Sequence, residues 1–236
     1  YLDLIQKEEN NIVAQCQAAM WANVYFFLKR KSPIPPEDIL KQGVAVKLKV
    51  NVDFHERYGL KLIIEDIDSS FTMGQLEMQR QAILKAIQER GLIRKNAETH
   101  LPVVVQRLAV ISSDRAAGYK DFIKHLEDNF YGYDIRIDLF EAAMQGQQVE
   151  NEISACLDKV EKTMSDYDAV AIIRGGGGRT DLAAFDNLNL AVRIARFPIP
   201  VLIGIGREIN QSVLDLFACR SLKTPTAVAD FMIERN

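Results

Sequence analysis

The chain has 236 residues, 48% of them hydrophobic and 26% charged, with a formal net charge of −3. That length buries a sizeable core in one large domain or two small ones, and the balance is ordinary globular usage, which excludes a disordered, collagenous or disulfide-scaffold chain. No apolar run reaches the roughly 18–20 residues of a membrane span, and YLDLIQKEEN opens with acids where a secretory signal carries its basic region. The absence of an initiator Met leads us to expect a fragment whose true N-terminus lies upstream. Cys16, Cys156 and Cys219 are far apart without a CxxC spacing, so they read as reduced core thiols of a cytoplasmic protein.

Residues 1–70 read as strands. YLDLIQ alternates, KEENN turns, and IVAQCQAAMW alternates again through Ile12, Ala14, Cys16 and Ala18. A helix or loop is expected over residues 22–40, where Pro33, Pro35 and Pro36 mark irregular backbone. GVAVKLKVNVDF is a period-two run with Val44, Val46, Leu48, Val50 and Val52 on one face; HERYG turns, and LKLIIEDI returns as a hairpin. Four strands are too few to close a barrel, and an upstream strand would complete a five-stranded OB barrel.

From residue 71 helices and strands alternate. MGQLEMQRQAILKAIQERG is an amphipathic helix that Gly91 stops. RLAVISS is a strand, residues 114–129 a helix, DIRIDLF a strand, residues 146–164 a helix, and AVAIIR a buried strand. After GGGG come a helix over about 185–196, the strand PVLIGIG and a helix from about 209. This order predicts a parallel sheet covered on both faces, with ligands beyond the carboxyl ends of its strands.

Charge is uneven along the chain. Residues 131–168 carry three Lys/Arg and nine Asp/Glu, whereas residues 169–223 carry seven and four. A pI near 5.7 argues against coating duplex DNA but is compatible with a local basic groove for one polyanionic strand. From charge alone, these stretches read as solvated faces.

Three strand ends carry the chemistry. Arg174 and Arg179 bracket four glycines, whose bare backbone can approach an anion and form a nest of N–H groups. Two arginines could clamp a phosphate there, although the glycines alone would also serve as a flexible turn. The run is neither a P-loop nor GxGxxG. GIGREIN at residues 204–210 leads a strand into the start of a helix, where free N–H groups favour anions; a plain turn is equally compatible. ISSDRAAGYKD places Ser112 and Ser113 at the third junction and Asp121 one to two turns into the next helix, where a lone carboxylate is ordinarily solvated. His55, His100 and His125 lack a ligand or base spacing and read as surface or turn residues. Trp21, Tyr25, Phe26 and Phe27 could stack on bases, but their close spacing predicts that at least half pack inward.

The ordered set ISSDRAAGYKDF, MQG, IIRGGGGRTDLAAFD, IPVLIGIGREINQSVLDLFA and LKTPTAVADF resembles the large subunit of exodeoxyribonuclease VII. The family pattern runs TS-x-x-[GA]-A-A/G with a following Asp, a VQG turn, RGGG with D-L-x-x-F, IPV-x-x-x-GHE, and TPT or TPS before A-A. The resemblance covers nearly the whole chain, and GLKLIIEDI is similar to the OB strand that precedes the nuclease domain. It implies a truncated OB-fold domain over residues 1–70 and an α/β exonuclease domain over residues 71–236. It also implies exonucleolytic hydrolysis of single-stranded DNA from either end, and small subunits bound through a C-terminal helical region beyond Asn236.

Carried over residue by residue, the resemblance assigns catalytic positions to Asp121, Arg174, Asp181, Arg207, Glu208 and Asn210. Phosphate contacts fall to Ser112, Ser113, Gly175, Gly176, Gly177 and Arg179. Arg174 would hold the scissile phosphate, Asp121 or Asp181 would orient or deprotonate water, and Glu208 is a second acid or base. Arg207 stands where the family has His, and Asn210 where it commonly has Asp. Arg stays protonated and Asn is no base, so Arg207 is left to stabilise developing charge. Two carboxylates suffice to share Mg²⁺, but no ligand spacing singles out a set, so the metal requirement is open. The alternative reading is a catalytically impaired single-stranded DNA-binding module on the same scaffold. A phosphosugar- or nucleotide-binding α/β protein would explain the glycines but not the OB-like region.

Overall fold

The computed structural model describes the chain except residues 9–10, 33, 58, 94, 177–178, 206–211 and 236, and the side chains of residues 7, 179 and 180. Contacts divide it into two units, Tyr1–Glu77 and Met78–Asn236.

The first unit holds strands β1 (Leu2–Glu8) and β2 (Asn11–Met20), helices α1 (Ala22–Lys31) and α2 (Pro36–Ile39), strands β3 (Leu48–His55) and β4 (Gly59–Ile67), and the start of helix α3 (Ser69–Glu89). The sheet order is β1-β2-β4-β3. β1 and β2 form one antiparallel hairpin and β3 and β4 another, while β2 runs parallel to β4. The chain leaves β2 through α1 and α2 and runs back along β3, which lets β4 lie parallel to β2. This small mixed sheet matches a truncated OB-like domain. Its core is Ala18, Leu28, Ile34, Ile39, Ile64 and Ile67.

The expected inward packing of the α1 aromatics is overturned. Trp21, Phe26 and Phe27 are 64%, 61% and 59% exposed, and only Tyr25 is half-buried. The helical period explains this. Val24 and Leu28, four residues apart, already form the inward stripe, which turns Phe26 and Phe27 outward.

The second unit continues through strand β5 (Arg107–Ser112), helix α4 (Ala117–Glu127), strand β6 (Arg136–Glu141), helix α5 (Val149–Lys162) and strand β7 (Ala169–Ile173). Helices α6 (Arg179–Leu182) and α7 (Leu188–Ala195), strands β8 (Val201–Gly204) and β9 (Arg220–Ser221), and helix α8 (Pro225–Arg235) follow. The five strands are all parallel, in the order β6-β5-β7-β8-β9. Strand parity sorts the core into two layers. Ala109, Ile111, Val170, Ile172, Val201 and Ile203 face α5, α7 and the C-terminal half of α3. Leu108, Val110, Ala169, Ala171, Ile173 and Leu202 face α4 and α8. Strands buried on both faces are apolar without alternation, as RLAVIS and AVAII are.

Where the sequence predicts a helix from about 209, the described residues form a 3-10 turn, Val213–Leu216, and then the short strand β9. The reason is local. Ser212 and Asp215 close a capping box around one tight turn, and Leu222 N–H then donates to Ile203 O beside the sheet.

Asn96 ties three segments of this unit together. Its Nδ2 donates to Phe197 O and Ile199 O, both at 3.0 Å, and its Oδ1 accepts from Val201 N–H at 2.9 Å and Cys219 N–H at 3.0 Å. Cys16, Cys156 and Cys219 are all free thiols, the last two buried. No helix among the described residues is long and apolar enough to cross a membrane.

Candidate functional site at the strand ends

After β5 the chain turns to one face of the sheet as α4, and after β7 it turns to the other as α7. The divergence of neighbouring parallel strands opens a crevice at their carboxyl ends, the usual ligand position in such a sheet. Ser112, Arg174 and Gly175 stand at this switch point.

Arg174 follows the last residue of β7, and its N–H donates to Gly204 O at 3.1 Å. Its side chain is only 5% exposed, with Nη2 3.2 Å from Asp181 Oδ2, itself 13% exposed. The guanidinium carbon lies 5.9 Å from the centre of the Phe185 ring. A charge so far removed from water requires a counter-charge, which α6 supplies through Asp181. RTDLAAF is thus one device: Asp181 pairs Arg174, and fully buried Phe185 lies beneath it.

Ser112 is fully buried and donates its hydroxyl to Ile173 O at 2.9 Å, so it locks β5 to β7 just beyond their last paired residues. Ser113 is half-buried, and its carbonyl accepts from Ala116 N–H at 3.0 Å. Helix α4 begins there with Ala116 as its N-cap, and no side chain caps it. Gly175 is half-buried and Gly176 exposed. Asp121 lies on α4, one turn beyond Gly118, and faces solvent. Arg179 opens α6. Gly177, Arg207, Glu208 and Asn210 lie outside the described residues.

The structure therefore brings Arg174, Asp181, Gly175 and Ser112 to one place, and it adds residues that motif reading passed over. Gly118 lies against Gly175 so closely that a Cβ on Gly118 would sit 2.5 Å from Gly175 Cα, 2.6 Å from its N and 2.9 Å from Pro225 Cγ. Asp186 Oδ1 accepts from Val213 N–H at 2.6 Å. Asp215 accepts from the Ser212 N–H at 2.6 Å, the Ser212 hydroxyl at 3.0 Å and the Ser221 hydroxyl at 2.8 Å. Burial pushes the Asp215 carboxyl above its ordinary pKa, and the hydrogen bonds oppose this only in part. The Ser-x-x-Asp spacing at 212–215 was a readable cap signal.

Near this crevice, Asp114 and Glu141 follow β5 and end β6, respectively. The Glu141 carboxyl is raised, first by its hydrogen bond with Asp114 and then by the like charge. Among the described residues no group of three or more His, Cys, Asp and Glu is placed to hold a metal ion.

The family model described as exonuclease VII, large subunit, matches residues 92–236. The exodeoxyribonuclease 7 large subunit of Deinococcus radiodurans is 30% identical over 99% of this chain and 58% of its own length. That of Campylobacter hominis is 31% identical over 80% of this chain and 48% of its own, and that of Shouchella clausii 28% identical over 93% and 46%. The chain spans about half the length of the curated relatives it matches. With the family match covering the whole parallel sheet and the Arg174 crevice, the chain belongs to the exonuclease VII large-subunit family.

Proposed function

We propose that this chain is the large subunit of a single-strand-specific exodeoxyribonuclease that hydrolyses phosphodiester bonds from either end of single-stranded DNA. The observation that carries the reading is Arg174: a 5% exposed guanidinium at the end of the central strand, held by Asp181 beside a glycine turn at the switch point. In this reading Arg174 and the amides of Gly175 and Gly176 hold the scissile phosphate and offset charge as water attacks. Asp181, engaged with Arg174, orients that guanidinium. Asp121 and Glu208 are then the carboxylates left to position or deprotonate the water, and Arg207 adds fixed positive charge. If the reaction uses Mg²⁺, two carboxylates share it.

The first unit guides the strand. Trp21, Phe26 and Phe27 offer exposed faces for bases, and Arg30 and Lys31 of α1 offer charge to phosphates, with Lys31 Nζ 5.6 Å from the centre of the Phe27 ring; Lys29 is paired with Glu37 at 2.5 Å. The relatives are named large subunits, which supports a small-subunit partner, and the reaction is one of the cytoplasm.

The test is digestion of end-labelled single strands and blunt duplex by the protein assembled with its small subunit, with and without chelator, across a salt titration. Cleavage confined to single strands, with binding that weakens steeply with salt, is expected. Equal binding and cleavage of duplex would refute the reading.

A further inference from the structure

We infer that Asp186 is a positioning residue for Arg174: by receiving the N–H of Val213 it pins the rear of the segment that carries Asp181 and Phe185, and so fixes where the guanidinium is held. This rests on the reading of Arg174 as the group that holds the scissile phosphate.

Residues 179–186 form one continuous hook. Helix α6 passes at Leu182, whose backbone is helical, into a 3-10 turn over Ala183–Phe185, and the Asp186 N–H closes that turn on Ala183 O at 3.1 Å. Near the front of the hook, Asp181 Oδ2 lies 3.2 Å from Arg174 Nη2. Near its rear, Phe185 is fully buried, with its ring centre 5.9 Å from the guanidinium carbon. The anchor lies one residue further on. Asp186 Oδ1 accepts from Val213 N–H at 2.6 Å, across 27 residues of sequence.

Val213 is fully buried and opens the 3-10 turn that Asp215 caps. Two adjacent N–H groups, those of Ser212 and Val213, therefore each meet a carboxylate at 2.6 Å. Asp215 closes a local turn, three residues from its donor. Asp186 does something different: it joins the connection after β7 to the return from β8. A buried N–H that loses its acceptor finds no water in its place, so the link resists breaking from both sides. Helix α7 has its own fastening. Asn187 caps it by accepting from Leu190 N–H at 3.1 Å and donates to Glu150 Oε2 of α5 at 2.6 Å. Loss of the Asp186 link thus falls on the hook, and with it on Arg174, rather than on α7. A misplacement of about 1 Å, set up away from the chemistry, costs on the order of a hundredfold in rate.

The experiment compares Asp186→Ala, Asp186→Asn and Asn96→Ala in the protein assembled with its small subunit, on a labelled single strand. Asp186→Ala is expected to lower kcat by about ten- to a hundredfold with KM within a few-fold of the parent. Asp186→Asn keeps the accepting oxygen and should restore kcat to within a few-fold. Asn96→Ala loosens the same unit elsewhere, so its folded fraction should keep the parental kcat. Because Asp186 acts through Asp181, adding Asp186→Ala to Asp181→Asn should cost less than adding it to the parent. If Asp186→Ala fails to fold, Asp186→Glu carries the test: it keeps the charge, displaces the oxygen by one methylene, and should lower kcat about tenfold. Parental kcat in the Ala or Glu variant, an Asn variant as slow as the Ala variant, an equal loss in Asn96→Ala, or fully multiplicative losses with Asp181→Asn each overturn the inference. Phenylglyoxal labelling of Arg174, read by peptide mass, separates this from the proposed function. Arg174, 5% exposed, should react slowly in the parent, faster in folded Asp186→Ala and slowly again in Asp186→Asn. If the parent cleaves nothing, the proposed function fails, whereas this labelling pattern still upholds the positioning. Unchanged labelling in Asp186→Ala overturns it.

Discussion

Arg174 and Asp181 are 5% and 13% exposed, and their charged atoms are 3.2 Å apart. Removing one partner of a buried pair leaves the other charge uncompensated and costs about 3–5 kcal/mol. Domains of this kind have only about 5–15 kcal/mol in total, so Arg174→Ala and Asp181→Ala should each lower the urea midpoint markedly. The double variant removes both charges, so it should be less destabilised than the two single losses together, with a coupling of about 0.5–3 kcal/mol. Additivity within about 0.5 kcal/mol would show that the pair does not act as a unit. The same pair separates two chemical roles. If Asp181 holds Arg174, Asp181→Asn keeps an acceptor and lowers kcat without changing the shape of the pH–rate profile. If Asp181 is the base, the acid limb of that profile disappears and kcat falls by about a hundred- to ten-thousandfold. Among variants that remain folded, Arg174→Ala should also weaken single-strand binding by about 1.5–3 kcal/mol, the scale of a charged hydrogen bond. Parental affinity and rate in that variant would remove Arg174 from the site.

Asn96→Ala strips partners from two carbonyls and two N–H groups in the interior and should cost about 3–5 kcal/mol by chemical denaturation; a loss under about 1 kcal/mol would refute its role as a tie. Folding raises the Asp215 pKa, so the folded protein retains a proton that the unfolded chain has released. Its contribution is therefore fully present below the ordinary carboxylate pKa and is lost as pH rises from there through the folded value. Asp215→Asn should flatten that part of the stability curve, and a slope identical to the parent's would refute the burial argument. Arg207→His together with Asn210→Asp should raise kcat by about a hundred- to ten-thousandfold if those positions carry the proton transfer. An unchanged rate would assign the chemistry to the other carboxylates.

The parallel sheet was legible because burial on both faces leaves a signature that needs no partner: RLAVIS and AVAII are apolar at every position that touches a helix. The carboxyl end of β7 was legible as a candidate anion site because Arg174 follows one of those buried strands directly. The seating of Gly118 was not, since a glycine in a run of small residues looks the same whether its Cβ position is open or blocked by another segment. Likewise, Ser112 reads as a free hydroxyl beside an anion site, yet its oxygen is committed to Ile173 O. His125, which shows no base spacing in sequence, sits 2.5 Å from Asp230 because α4 and α8 pack side by side.

The aromatics of the first unit mark where periodicity stops being informative. Period two places Val52 and Phe54 on the face that carries Val50, but what a face meets depends on what covers it. Val52 and Phe54 are exposed toward the end of a hairpin whose outer strand, β3, is one sheet edge; β1 is the other. The same logic holds for α1, where Val24 and Leu28 fill the inward stripe and leave Phe26 and Phe27 with no interior to enter. Exposed rings beside Arg30 and Lys31 suit a ligand that is both planar and anionic. The proposed substrate, a single strand of DNA, has both properties, with bases for the rings and phosphates for Arg30 and Lys31, while Lys29 is engaged with Glu37. In the proposed reading the first unit supplies grip without chemistry, and the chemistry belongs to the crevice where Arg174 has been drawn out of water at the end of a buried strand.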